Sequence, residues 1–119
     1  MNKATLLALK GSIKKWEDIV AGTKQDLGDE NCPLCKRFLV SKNKETCEGC
    51  PVREKTGQSL CGGSPYEAWH REQARLEDRA DQYRERYADT PELQKLARAE
   101  LKFLRSLMPK ADGKKLGAF

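Results

Sequence analysis

Histidine is almost missing from this 119-residue chain; His70 stands alone. That scarcity excludes the paired-histidine helices of zinc hydrolases, and His70-Arg71-Glu72, followed by no later cysteine, does not supply the ligand order of a zinc deaminase. Walker-type glycine loops and serine-centred elbows are absent as well, so phosphoryl and acyl transfer lack their usual scaffolds. Long apolar runs are missing too: nothing approaches the ~20 residues that cross a bilayer. Nor do the first residues carry the apolar stretch and small-residue cleavage site of a secretory signal. These gaps predict a protein that is not an enzyme, enters no membrane and resides in the cytoplasm.

Cysteine is what the chain has instead. Five fall between positions 32 and 61, and four of them form two Cys-x-x-Cys pairs, Cys32/Cys35 and Cys47/Cys50. Each two-residue gap lets a tight turn aim both sulfurs at one point, so the pairs can close a tetrahedral shell around one Zn2+. In a reducing compartment such pairs are metal ligands more often than disulfides. Between Lys24 and Gly63 large apolar residues are few, so burial alone does not offset the entropy of ordering that stretch. Zinc held by thiolates contributes on the order of 10 kcal/mol, which counts directly as folding free energy.

Other readings of these cysteines are weaker. Reduced buried thiols fit poorly with flanking Pro, Lys and Glu, and a redox dithiol at Cys32-Pro33-Leu34-Cys35 lacks the strand–helix–strand setting of a thioredoxin-like fold. Cys61 can replace Cys47 or Cys50, so the metal set is four of Cys32, Cys35, Cys47, Cys50 and Cys61. His70 is a lesser candidate, because on its helix it falls beside the apolar seam rather than toward the loops. An all-cysteine shell leaves no open position for activated water, which again argues against catalysis.

From Thr5 to Val20, Leu6, Leu9, Ile13, Trp16 and Val20 recur at helical spacing, with Lys3, Lys10 and Lys14 along another face and Gly22 as a stop. Residues 24–63 read as the metal loop, with Phe38-Leu39-Val40 the one short run suited to a strand. Ser64-Pro65-Tyr66-Glu67 opens a second helix: Ser64 caps it, Pro65 sits where its missing N–H costs nothing, and Glu67 reaches back as a capping box. Its seam runs Trp69, Gln73, Leu76, Ala80, Tyr83 and Tyr87. Asp89-Thr90-Pro91-Glu92 ends that helix and starts a third, marked by Leu93, Leu96, Ala97, Leu101, Leu104 and Met108 and closed by Pro109. The expectation is a mainly α fold of three helices, with a zinc-bound Cys-rich loop of knuckle or ribbon type inserted between helix 1 and helix 2. One domain covers residues 1–109, and 110–119 form a flexible basic tail; self-association through the seams is left open.

The net charge is +5, and its distribution carries more than its size. On the second helix Arg71, Arg75, Arg79 and Arg86 flank one side of the seam and Glu67, Asp78, Asp81 and Glu85 the other, a pattern that pairing along an exposed helix explains. The third helix differs: Lys95, Arg98, Lys102 and Arg105 form one stripe opposite the leucines with no acid among them. Such a stripe repels itself, an acidic partner relieves it, and nucleic acid phosphates are the commonest such partner. Lys36, Arg37 and Phe38, between the two knuckles, offer a loop tip suited to a phosphate and a base or to a protein groove. The remaining aromatics lie on or near apolar faces and read as core.

One stretch resembles something known. Cys32-Pro33-Leu34-Cys35, Cys47-Glu48-Gly49-Cys50-Pro51-Val52, Thr56-Gly57 and Cys61-Gly62-Gly63-Ser64-Pro65-Tyr66 together are similar to a pattern in small, mostly uncharacterised bacteriophage proteins. The resemblance covers residues 32 to 66 and implies a phage or prophage origin, with all five cysteines of consequence; it brings no activity and no catalytic residue. Two functions follow from the whole reading. The first is a small zinc-stabilised nucleic-acid-binding protein that uses the third helix and the metal loop. The second is an accessory or counter-defence module that binds a host protein with an acidic surface, and the charge balance of the second helix speaks for it. The third helix and tail tip the choice narrowly to nucleic acid.

Overall fold

The computed structural model describes residues 1–38, 49–58, 63–80 and 84–109. These hold five helices: α1 (Lys3–Ala21), α2 (Pro33–Phe38), α3 (Pro51–Thr56), α4 (Pro65–Ala80) and α5 (Pro91–Ser106), with a 3-10 turn at Gly28–Asn31. Cys47, Cys61, Leu39, Val40, Tyr83 and the 110–119 tail lie outside the described residues, as do the side chains of Arg37 and Phe38.

The three long helices begin where short polar side chains can satisfy the unpaired N–H groups of a first turn. Asn2 Oδ1 accepts the Thr5 N–H at 2.8 Å to start α1, and Thr90 Oγ1 accepts the Leu93 N–H at 3.1 Å to start α5. Ser64 Oγ takes the Tyr66 N–H at 3.3 Å to start α4, while Glu67 binds the N–H of Gly63 at 3.1 Å, one residue outside the expected box. Gly22 closes α1 in the left-handed region, φ 84°, where its N–H reaches the carbonyls of Asp18 and Ile19. Packing then follows the apolar stripes: α5 lies against both α1 and α4, and α2 lies against α1. Trp69 is fully buried, and Trp16 meets it edge-on at 5.2 Å and Tyr66 at 5.9 Å.

The fold is mainly helical as expected, but with five described helices rather than three. The stretch read as one loop contains α2 and α3, each six residues long. They start alike. In Cys32-Pro33-Leu34 and in Cys50-Pro51-Val52 a cysteine stands at the cap, a proline opens the helix with its fixed φ, and an aliphatic residue enters the core, Leu34 at 3% exposure and Val52 at 1%. Helices this short leave no periodic signal. Phe38 closes α2, Leu39 and Val40 of the possible strand lie outside the described residues, and no strand occurs among the described residues.

The second expected helix is also shorter than its seam. It is described to Ala80, whereas residues 84–90 are non-helical and Tyr87 lies among them. There the backbone has other partners: Asp26 N–H donates to the Arg86 carbonyl at 3.0 Å, and Arg86 N–H donates to Gln25 Oε1 at 3.2 Å. Met108 lies beyond the end of α5, whose cap is Leu107. No described helix is long and apolar enough to cross a membrane.

Candidate functional site

Two features stand out: a polar cluster buried beneath the cysteines, and a basic face on α5. The cluster starts from Lys15, buried on α1 in one row with Ser12 and Ile19 at i−3 and i+4 spacing. Its ammonium group, on a side chain 3% exposed, donates to Asp26 Oδ1 at 2.9 Å and to the Gly28 carbonyl at 3.3 Å. Asp26 collects three further donors: Gly28 N–H at 2.9 Å on Oδ1, and Tyr66 O–H at 2.9 Å and Trp69 Nε1–H at 3.0 Å on Oδ2. Burial alone would raise this carboxyl's pKa, but the Lys15 charge and the converging donors outweigh it, so Asp26 titrates below the ordinary value. A buried ion pair of this kind is held by satisfied hydrogen bonds rather than by Coulomb attraction alone.

Cys32 and Cys35 sit at the start of α2, directly over that cluster. The Cys32 carbonyl accepts the Lys36 N–H at 2.9 Å and its Sγ accepts the Cys35 N–H at 3.3 Å, so this cysteine caps the helix with its sulfur. Ser12 of α1 braces the same turn, with its Oγ 3.9 Å from Cys32 Sγ and accepting the Leu34 N–H at 3.3 Å. The hydrogen bond from the Cys35 side chain lowers the Cys32 pKa most; burial opposes it, and the Cys35 N–H, the Lys15 charge and Ser12 add to it, bringing it to about 6. That lowering favours the Cys32 thiolate, the form a soft metal requires. Gly11 makes this seating possible: a Cβ there would come within 2.9 Å of Pro33 Cγ.

Of the expected sulfur ligands, the described residues bring only Cys32 and Cys35 together, and Cys50 is not grouped with them. Cys32 and Cys35 offer two sulfurs side by side, Cys50 is buried at the cap of α3, and Cys47 and Cys61 lie outside the described residues. Among the described residues no three His, Cys, Asp or Glu side chains are grouped to hold a metal. His70 is exposed on α4 with its ring against Tyr66, centroids 6.1 Å apart.

Glu100 is a residue to which the sequence reading gave no role. It is 2% exposed, accepts the Tyr66 backbone N–H at the first turn of α4, and its Oε1 has no partner among the described residues. Burial pushes its pKa up to about 8, against the Tyr66 N–H and Lys15, with the Cys32 and Asp26 charges adding to the rise. Lys15 was equally illegible as a core residue, since its partner Asp26 lies across an irregular segment. The one available signal was position: Lys15 and Glu100 both fall on the apolar side of their helical wheels.

The basic face of α5 is as the sequence predicts. Lys95, Arg98, Lys102 and Arg105 are all exposed. Arg105 reaches Glu17 of α1 at 2.8 Å, whereas Lys95, Arg98 and Lys102 have no acidic partner within 4 Å among the described residues. Four arginines elsewhere are matched: Arg71 with Glu67, Arg75 with Glu72, Arg84 with Asp89 and Arg86 with Glu77. Lys36 is exposed too, but on α2 rather than on a loop tip. No protein-family model, curated protein or solved structure matches this chain.

Proposed function

We propose that the protein is a zinc-stapled binding module that holds nucleic acid along α5. One observation carries this reading: three exposed cations in line, Lys95, Arg98 and Lys102, on one stripe of α5 and without an acidic partner among the described residues. Unpaired cations on one rigid helix are an electrostatic footprint for a polyanion. Zinc would be held by Cys32 and Cys35 with two of Cys47, Cys50 and Cys61, and it would supply folding free energy rather than chemistry. The lowered pKa of Cys32 supports that role. Lys36, exposed on α2, adds a cation beside Cys32 and Cys35. A bacteriophage source and a cytoplasmic setting accord with this reading and with the resemblance of residues 32 to 66.

Two measurements test it. Elemental analysis of freshly purified protein should give one zinc per chain, and a strong chelator should expose residues 24–63 to protease while the far-ultraviolet dichroism of α1, α4 and α5 largely persists; unchanged proteolysis rejects the metal. Labelled DNA and RNA should bind at low salt, and binding should weaken steeply as salt rises. A defined complex with a host protein that survives 0.5 M salt, with no nucleic acid bound at any salt, would favour the accessory-module reading through the charge-balanced face of α4.

A further inference from the structure

We infer that the polymer held by α5 is double-stranded DNA, gripped by its phosphates without reading its bases. The inference rests on the nucleic-acid reading above and narrows it. Base discrimination needs side chains free to make paired hydrogen bonds to base edges, above all Arg, Asn and Gln. On this face those side chains are committed. Gln94 donates through Nε2 to the Val20 carbonyl at 2.8 Å and to the Ala88 carbonyl at 3.4 Å, and its Oε1 accepts from Arg98 Nε at 3.0 Å. Arg105 is held by Glu17. What remains is Lys95 and Lys102, point charges that match phosphate and carry no base code, with the Nη groups of Arg98, whose Nε is tied to Gln94.

Single strands are disfavoured by what the face lacks. Proteins that hold them stack bases on aromatic side chains. Trp16 and Trp69 are buried, and Phe103, the aromatic of α5, is packed against the core. A-form RNA keeps its phosphates around a major groove too narrow and deep for side chains and displays 2′-hydroxyls instead, whereas the B-form groove admits the exposed side of a helix. Spacing agrees: Lys95 and Lys102 are about 10 Å apart along the axis at ~1.5 Å per residue. With Arg98 between them, that length carries three cations, enough to neutralise about three phosphates.

The test uses the full-length zinc-loaded protein and fluorescence anisotropy at 50 mM salt. Probes are two unrelated DNA duplexes, a single DNA strand of equal length and a matched RNA duplex, read with the parent, Lys95→Glu/Lys102→Glu and Lys95→Arg/Lys102→Arg. The duplexes should bind within about twofold of each other, the single strand and RNA duplex at least about fivefold more weakly. With about three phosphates neutralised, affinity should fall about 40-fold between 50 and 200 mM salt. The glutamate pair should abolish binding and the arginine pair preserve it; matching melting temperatures separate a lost contact from a lost fold. Tighter binding to the single strand or RNA duplex, or a tenfold or greater preference between duplex sequences, overturns this inference and leaves the nucleic-acid reading standing. No binding to any of the four, or full binding by the glutamate pair, overturns both.

Discussion

Replacing Glu100 by glutamine should stabilise the protein, and by more at pH 8 than at pH 5. The unfolded chain's glutamate releases its proton near the ordinary value of 4.5, whereas in the folded protein burial holds the proton until about pH 8. Between those values the native state binds more protons than the unfolded state, so stability falls as pH rises, by about 1.4 kcal/mol per pH unit. The sign is that of a raised folded pKa: the contribution is complete below pH 4.5 and is lost as pH climbs toward 8. At pH 7 the loss reaches about 3 kcal/mol, and it levels off above pH 8. Glutamine does not ionise and keeps an oxygen for the Tyr66 N–H, although its amide N–H adds a pH-independent cost of about 1 kcal/mol where it finds no acceptor. Urea unfolding followed by Trp16 and Trp69 fluorescence at pH 5, 6, 7 and 8 measures the difference between the two proteins, in which cysteine and metal titrations cancel. A difference that stays constant from pH 5 to pH 8 would refute the buried, proton-bearing carboxyl.

Three further outcomes can be checked. Asp26→Asn strands the Lys15 ammonium in the core and should cost about 3–5 kcal/mol at pH 7 in thermal melts, much of it recovered by Lys15→Met with Asp26→Leu; no recovery would mean the pair is not the cause. In the parent this pair's contribution should be present above the ordinary aspartate value of 3.8 and lost as pH falls through the lowered folded value. Gly11→Ala gains about 1 kcal/mol of helix propensity but drives a Cβ into Pro33 Cγ at 2.9 Å, so the melting temperature should fall and zinc be lost more readily to a chelator; a rise would show that α2 is not seated on α1. Cys32→Ser should lower bound zinc in elemental analysis while leaving the dichroism of the long helices intact.

How much the sequence discloses depends on whether the deciding interaction is local. Asn2, Gly22, Ser64-Pro65 and Thr90-Pro91 act within four residues of themselves, and α1, α4 and α5 begin or end where those residues stand. The basic stripe of α5 was legible for the same reason, since four residues at helical spacing need no knowledge of the fold. Burial of Lys15 and Glu100 was not: each is a charged residue on a wheel, and only the approach of Asp26 or of the α4 turn tells which side wins. Tyr87 misled for a related reason. Its spacing continued the α4 seam, but the Arg86 backbone pairs with Gln25 and Asp26, far away in the chain.

The middle segment takes its interior from the long helices rather than lacking one, which changes what zinc is needed for. Leu34 and Val52 enter the same core as Leu9, Trp16, Ile19 and Leu104, and two such side chains contribute about 3–6 kcal/mol together. Ordering the twelve residues of α2 and α3 costs about 12–24 kcal/mol of backbone entropy, so these two anchors alone do not offset it. The zinc proposed above would add on the order of 10 kcal/mol. Both aliphatic anchors are placed by the same local device, a capping cysteine followed by proline and an aliphatic residue. Because Pro33 rests on Gly11 and Cys32 rests on Ser12, the metal region is registered against α1, and α1 is in turn clasped to α5 by Arg105 and Glu17 and by the Gln94 bond to the Val20 carbonyl. A continuous run of contacts thereby joins the cysteines to the helix that carries the basic face.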